Sequence, residues 1–219
     1  TREQVAQAID HAVLNPNITD RDVVEACAVG RRCRVATVIV RPTDVPLMVR
    51  ELEGSGVTPG TTVSFPHGAD VPEVKALEAR RALEAGVGEL DMMMNLGRFL
   101  SGDYDFVSKD IEGVTEEAAK KNALVKVILE VCYLSPEQVA RACEIARDAG
   151  ADFVKTSTGF GDGPATPEAV EIMVKTVGDA MGVKAAAGIR DWETAVRYLD
   201  LGCARLGVRA TEDVLRGPG

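Results

Sequence analysis

Three lysines stand in short runs of otherwise apolar residues: Lys126 in Leu-Val-Lys-Val-Ile, Lys155 in Phe-Val-Lys-Thr-Ser and Lys184 in Gly-Val-Lys-Ala-Ala. Lysine is almost never fully buried unless it is paired. A single lysine on a strand usually snorkels outward or neutralises a neighbouring carboxylate. Three on successive strands, with Asp91 and Glu130 available to them, point instead to a polar site. The chemistry open to such a group is amine nucleophilicity. A free lysine is protonated at pH 7, with a pKa of about 10.4. Desolvation and a second ammonium nearby both lower that value, and enzymes bring nucleophilic lysines to about 7–8. Two interior lysines beside one carboxylate therefore meet the physical requirement for Schiff-base formation, in which one attacks, the other tunes it and the acid shuttles protons.

The elements that would position these groups are legible. Val- and Ile-rich runs read as buried parallel strands at Ile9–Val13, Val35–Val40, Thr61–Phe65, Glu89–Met94, Leu124–Val131, Asp152–Ser157, Gly182–Ala187 and Ala204–Val208. Helical periodicity fills the intervals, including Asp70–Ala85 and Asp103–Lys121. Ser135-Pro136-Glu137-Gln138 reads as an N-cap, a proline at the first helical position and a capping-box glutamine. Thr166-Pro167-Glu168 opens another helix in the same way without the box. Gly86, Gly150 and Gly202 each end a helix just before a strand, a weak helix–strand repeat. Eight strands alternating with helices in 219 residues fit one (β/α)8 TIM barrel spanning 1–219, with an open doubly wound sheet as the alternative. In the repeat, Asp91 follows Gly86 by the same interval as Lys155 follows Gly150. They fall on the fourth and sixth strands, and alternate strands share an interior layer. Asp91 and Lys155 are thus expected at similar height, both pointing inward.

Composition narrows the function classes. Lys plus Arg is 25 against 34 Asp plus Glu, a net charge of −9, where a nucleic-acid or anionic-membrane surface calls for a basic footprint. No apolar run approaches the ~18 residues of a membrane helix. The opening Thr1-Arg2-Glu3-Gln4 has no signal-peptide core, so a cytoplasmic location is expected. The five cysteines, Cys27, Cys33, Cys132, Cys143 and Cys203, form no C-x-x-C pair. With only His11 and His67 as histidines, a metal-dependent mechanism is disfavoured, and no cofactor is expected.

With these residues in view, the chain resembles the 2-deoxyribose-5-phosphate aldolase family from about Ile9 to Gly207. The resemblance rests on Ile-Asp-His (9–11), Phe-Pro-His-Gly (65–68), Glu-Leu-Asp-Met-Met-Met-Asn (89–95), Lys-Val-Ile-Leu-Glu (126–130), Ala-Asp-Phe-Val-Lys-Thr-Ser-Thr-Gly-Phe (151–160) and Gly-Val-Lys-Ala-Ala-Ala-Gly-Ile-Arg (182–190). The Lys-Thr-Ser-Thr-Gly segment is the most specific of these. The resemblance implies a barrel and a metal-free class I aldolase joining acetaldehyde to glyceraldehyde 3-phosphate, or reversing that. It implies Lys155 as the Schiff-base lysine, Lys184 as the second lysine that depresses its pKa, Asp91 as the proton relay and Asp10 as a further polar residue of the pocket. It places phosphate binding after strands six, seven and eight, where Thr158, Gly159, Gly188 and Gly207 are the candidate substrate-binding residues of this chain. Family members are often dimers or larger, so a homo-oligomer (dimer or tetramer) is expected.

The acceptor end departs from the family pattern. Ala186-Ala187-Gly188 stands where a Gly-Gly pair is usual, Gly207-Val208-Arg209-Ala210 where two serines are usual, and Ala12 and Asn15 where a threonine and a lysine are usual. Two readings stay open. Arg209 binds the phosphate as a fork-shaped donor, or the acceptor is a different aldehyde, unphosphorylated or carboxylated. An exposed arginine at a helix start is the plain alternative for Arg209. From another class, the chain could be a catalytically silent barrel that binds a sugar phosphate, although a buried charge cluster is costly to keep without a use.

Overall fold

A computed structural model describes residues 1–217. The strands are β1 (Ile9–Val13), β2 (Thr37–Val40), β3 (Thr58–Val63), β4 (Glu89–Met93), β5 (Leu124–Ile128), β6 (Phe153–Lys155), β7 (Gly182–Ala186) and β8 (Arg205–Val208). The helices are α1 (Arg2–Gln7), α2 (Asp20–Cys33), α3 (Val45–Leu52), α4 (Pro72–Glu84), α5 (Leu96–Leu100), α6 (Tyr104–Ala119), α7 (Pro136–Asp148), α8 (Pro167–Val177), α9 (Trp192–Asp200) and α10 (Thr211–Leu215). The strands are all parallel and close in chain order, β8 pairing with β1, which is the (β/α)8 barrel.

Local chemistry sets the boundaries. Ser135 Oγ accepts from the Gln138 amide at 3.3 Å and the Gln138 side chain accepts from the Ser135 amide at 2.8 Å, so α7 begins with both halves of its capping box. Gly86, Gly150 and Gly202 take φ of 101°, 82° and 103°, the left-handed turn that steers each helix back into a strand. Strand β3 starts earlier than its sequence suggests, at Thr58, because Pro59 and Gly60 resemble a turn yet lie within the strand. It stops at Val63, where Ser64 turns to φ 53°. Strand β5 ends at Ile128 instead of Val131, because Glu130 also turns left-handed at φ 53°.

The strands are buried on both faces, so their sequences run apolar without obvious alternation. In space the alternation is clear. Ile9, Val38, Leu90, Val125, Val154, Val183 and Leu206 are all buried in the apolar core. Their strand neighbours Asp10, Thr37, Asp91, Lys126, Lys155, Lys184 and Arg205 carry the polar groups that meet one another across the barrel. Burying each Val, Ile or Leu against the helices is worth about 1.5–3 kcal/mol. That apolar outer layer supports an interior that is largely ionic.

Candidate active site

Strand register and barrel tilt sort the inward residues into three layers of alternate strands. Nearest the C-terminal end lie Ile39, Asp91, Lys155 and Gly207 of the even strands. Asp10, Gly60, Lys126 and Lys184 of the odd strands form the middle layer. Thr37, Glu89, Phe153 and Arg205 close the bottom. A typical barrel fills these places with branched aliphatics. Here four cationic side chains face three carboxylates.

Asp91 and Lys155 share a layer and point inward as expected, and there Lys155 Nζ donates to Asp91 Oδ2 at 2.8 Å. Lys184 Nζ donates to the same oxygen at 2.7 Å and to Asp10 Oδ2 at 2.5 Å. Lys126 Nζ donates to Asp91 Oδ1 at 3.0 Å and lies 2.5 Å from Glu89 Oε2. Arg205 spans the floor, reaching Asp10 Oδ1 at 2.7 Å and Glu89 Oε1 at 2.9 Å. Thr37 Oγ1 completes the set with a 2.8 Å bond to Glu89. Room for Lys184 comes partly from Gly207, where a Cβ would sit 2.8 Å from the Ala186 Cβ and 3.4 Å from Lys184 Cε.

The electrostatics single out one amine. Burial, together with the ammonium groups of Lys184 and Lys126, pushes Lys155 down to about 8, although Asp91 pulls the other way. At pH 7 that leaves roughly one molecule in ten with a neutral amine, against about one in three thousand at an ordinary lysine pKa. Lys126 behaves oppositely. Burial lowers its pKa, but Asp10, Asp91 and Glu89 surround it and hold it above the usual lysine value. Burial tends to raise Asp91, and Lys126, Lys155 and Lys184 together overcome that and hold its carboxyl well below the usual range. A neutral Lys155 leaves three cations against three carboxylates, a balanced interior.

The cluster opens on a cavity of about 610 Å³ at the C-terminal end of the barrel. Lys155, Thr158, Gly159, Lys184, Gly188, Gly207 and Arg209 all line it. Asp10 and Asp91 lie beneath the two lysines, fully buried, and reach the cavity through them. Thr158 is committed elsewhere, since its amide and hydroxyl donate to the buried carboxylate of Glu130. Arg209 is exposed just before α10, and its guanidinium lies 5.4 Å from the centre of the Phe160 ring. Arg190 lines the same end of the cavity. Ala187, which stands in for a family glycine, is held at φ 71°. Among the described residues no cluster of three His, Cys, Asp or Glu is arranged to hold a metal ion. Among the described residues no helix is long and apolar enough to cross a membrane.

Two members of the interior set, Glu89 and Arg205, are not identifiable from sequence as site residues, and Lys126 shows there as a strand lysine but not as the fixed partner of Asp91. Their only signal is a charge on a strand buried on both sides. Phe160 and Arg190 each end a family-like segment, but nothing local assigns either a place at the cavity.

Comparison with known proteins agrees with this geometry. Residues 4–202 match the DeoC/LacD family aldolase profile. The chain is 44% identical over 216 residues to a deoxyribose-phosphate aldolase of Clostridium perfringens, covering 99% of this chain and 96% of that protein. It is 46% identical over 215 residues to the deoxyribose-phosphate aldolase of Thermococcus gammatolerans, covering 97% and 96% respectively. A tetrameric deoxyribose phosphate aldolase from Aeropyrum pernix superposes with a TM-score of 0.92 at 31% identity, over 99% of this chain and 91% of that one. The cluster is therefore carried by a carbon–carbon lyase, and the chain belongs to the DeoC/LacD aldolase family.

Proposed function

We propose that this chain reversibly cleaves 2-deoxy-D-ribose 5-phosphate to acetaldehyde and D-glyceraldehyde 3-phosphate, with Lys155 as the Schiff-base nucleophile. One observation carries the assignment of roles: the buried Lys155 amine, lowered to about 8, shares Asp91 Oδ2 with Lys184 and faces the cavity. Neutral Lys155 attacks the aldehyde carbon of the open-chain sugar, and loss of water gives a protonated imine. A base removes the proton of the C3 hydroxyl and the C2–C3 bond breaks. Glyceraldehyde 3-phosphate leaves, and the electron pair becomes the enamine. Protonation of the enamine carbon regenerates the imine, and water releases acetaldehyde and the amine.

Asp91, ionised between Lys155 and Lys184, relays these protons along the hydrogen-bonded line Lys155–Asp91–Lys184–Asp10. Lys184 also lowers the pKa of Lys155 by its own proximity. The phosphate docks at the open end, against the Gly188 and Gly207 loops and Arg209, whose planar fork suits a phosphate oxygen pair. Incubation with acetaldehyde and borohydride tests the central role. A two-carbon adduct on Lys155 supports it, and an adduct on another lysine of the folded protein contradicts it.

A second reading keeps the same donor chemistry with an unphosphorylated or carboxylated acceptor. Two arginines at the cavity mouth, Arg190 and Arg209, bind a carboxylate as well as a phosphate. The ratio of kcat/KM for deoxyribose 5-phosphate to that for deoxyribose decides between them: a large ratio supports the phosphate reading, and a ratio near one favours the other acceptor.

The chain is also proposed to form a homo-oligomer. Val71, Val74 and Leu77 at the start of α4 are 55%, 46% and 47% exposed and share one side. Analytical ultracentrifugation checks this, and a monomer across the micromolar range contradicts it.

A further inference from the structure

Phe160 occupies an unusual place. It is 41% exposed, a large apolar ring at the cavity mouth, on the connection 156–166 that contains no regular secondary structure. Its backbone is tied down: the Phe160 amide donates to Thr158 Oγ1 at 3.0 Å, and Thr158 is anchored on Glu130. Just beyond, Tyr133 Oη donates to Asp162 at 3.1 Å. The ring itself is engaged by two partners of different kinds. The Arg209 guanidinium lies 5.4 Å from its centroid. Phe65 also meets it edge-to-face at 5.5 Å and 89°. Phe65 in turn lies beside the Lys155 amine, whose Nζ is 5.9 Å from the Phe65 centroid. A continuous line of contacts, Arg209–Phe160–Phe65–Lys155, thus joins the open, cationic end of the cavity to the amine.

From this geometry we infer that Phe160 is a specificity-determining residue that couples an anion held by Arg209 to the cover over Lys155. The inference rests on the deoxyribose-phosphate reading and deepens it. A guanidinium is planar, with its N–H donors in the plane and its stacking faces perpendicular to it. One arginine can therefore grip a phosphate by its edge while keeping Phe160 on its face. In the absence of the anion Arg209 is a long, exposed side chain with many rotamers, and its hold on Phe160 is weak. A dianion fixes the guanidinium and with it the Phe160 ring. Phe65 is then packed from behind, and the apolar wall beside the Lys155 imine is closed to bulk water. The binding energy of a remote phosphate is in this way spent on ordering the reacting end, so that it raises turnover as well as affinity. A merely filling role for Phe160 would instead affect all substrates alike.

Two measurements on wild type and on Phe160→Ala test the coupling. The first is the ratio of kcat/KM for deoxyribose 5-phosphate to that for deoxyribose. The second is activation of deoxyribose cleavage by added inorganic phosphite, a dianion free to bind at Arg209 without a covalent link. Wild type is expected to favour the phosphorylated sugar strongly and to be activated by phosphite. Phe160→Ala is expected to lower the ratio by about tenfold or more and to abolish the activation. Phe160→Leu, which keeps bulk but has no π-face for Arg209, is expected to lose the activation too. If wild type favours the phosphorylated sugar while Phe160→Ala keeps both the ratio within about twofold and the activation, the coupling is overturned and the phosphate reading stands. If wild type itself shows no preference for the phosphorylated sugar, the phosphate reading fails first and the coupling falls with it. The ring is partly in solvent, so the alanine variant leaves the packed core intact, and an unchanged melting transition verifies this.

Discussion

Lys126 donates to Oδ1 of Asp91 at 3.0 Å and leaves Oδ2 to the amines of Lys155 and Lys184. The two oxygens of one carboxylate thus serve different purposes, one fixed to a cation that stays charged and the other facing the reacting amine. Lys126 also touches Asp10 and Glu89, so it is the hub of the interior network.

Replacing that hub is expected to be costly. Lys126→Met keeps much of the volume but strips a shared cation from three buried carboxylates. Breaking a buried pair on one side costs about 3–5 kcal/mol, because the partner charge stays desolvated. Urea denaturation is expected to show a loss of that size. Lys126 also helps hold Lys155 low, so in the surviving folded fraction the rise of activity with pH moves upward. A variant as stable as wild type would show that the carboxylates do not depend on Lys126.

The pH dependence follows from the sign of the Lys155 shift. The reactive form is the neutral amine, and its pKa in the folded protein is about 8. kcat/KM is therefore expected to rise with pH through about 8 and then level off. Lys184→Leu removes a cation that lowers Lys155. Its profile is expected to rise at higher pH, and its activity at pH 7 to fall by about tenfold or more. A rise in kcat/KM with the same midpoint in both proteins would contradict the tuning role of Lys184.

At the acceptor end Ala187 is held at φ 71°, a conformation that costs an L-residue about 1–2 kcal/mol. Glycine adopts it freely but loses about 0.4–1 kcal/mol through its greater unfolded-state entropy. Ala187→Gly is thus expected to stabilise the fold by about 0.5–1 kcal/mol, read as a higher melting temperature. A lower melting temperature would mean that the Ala187 methyl contributes packing worth more than the backbone strain.

The parts legible in the sequence were those with a local cause. Val- and Ile-rich runs marked all eight strands, and the glycine turns at Gly86 and Gly150 carried enough register to put Asp91 and Lys155 in one layer. Lys126 shows where this stops. It sits between Val125 and Val127 on a strand covered on both faces, so the period of two that would tell inward from outward is hidden in the sequence. Arg205 and Glu89 are obscured in the same way. The Arg209–Phe160 contact joins two connections far apart in the chain, and only the pairing of β6 and β8 with the same strand β7 sets their C-terminal turns near each other.

The central claim is that one buried amine titrates far below an ordinary lysine, so that about a tenth of it is neutral at pH 7. It is tested most directly by a nitrogen-detected NMR titration of the lysine side chains, with the Lys155 signal identified by its loss in Lys155→Leu. The expected midpoint is about 8, well below the ordinary lysine value of about 10.4. A Lys155 amine that stays protonated to about pH 10, as a solvent-exposed lysine does, would contradict the account.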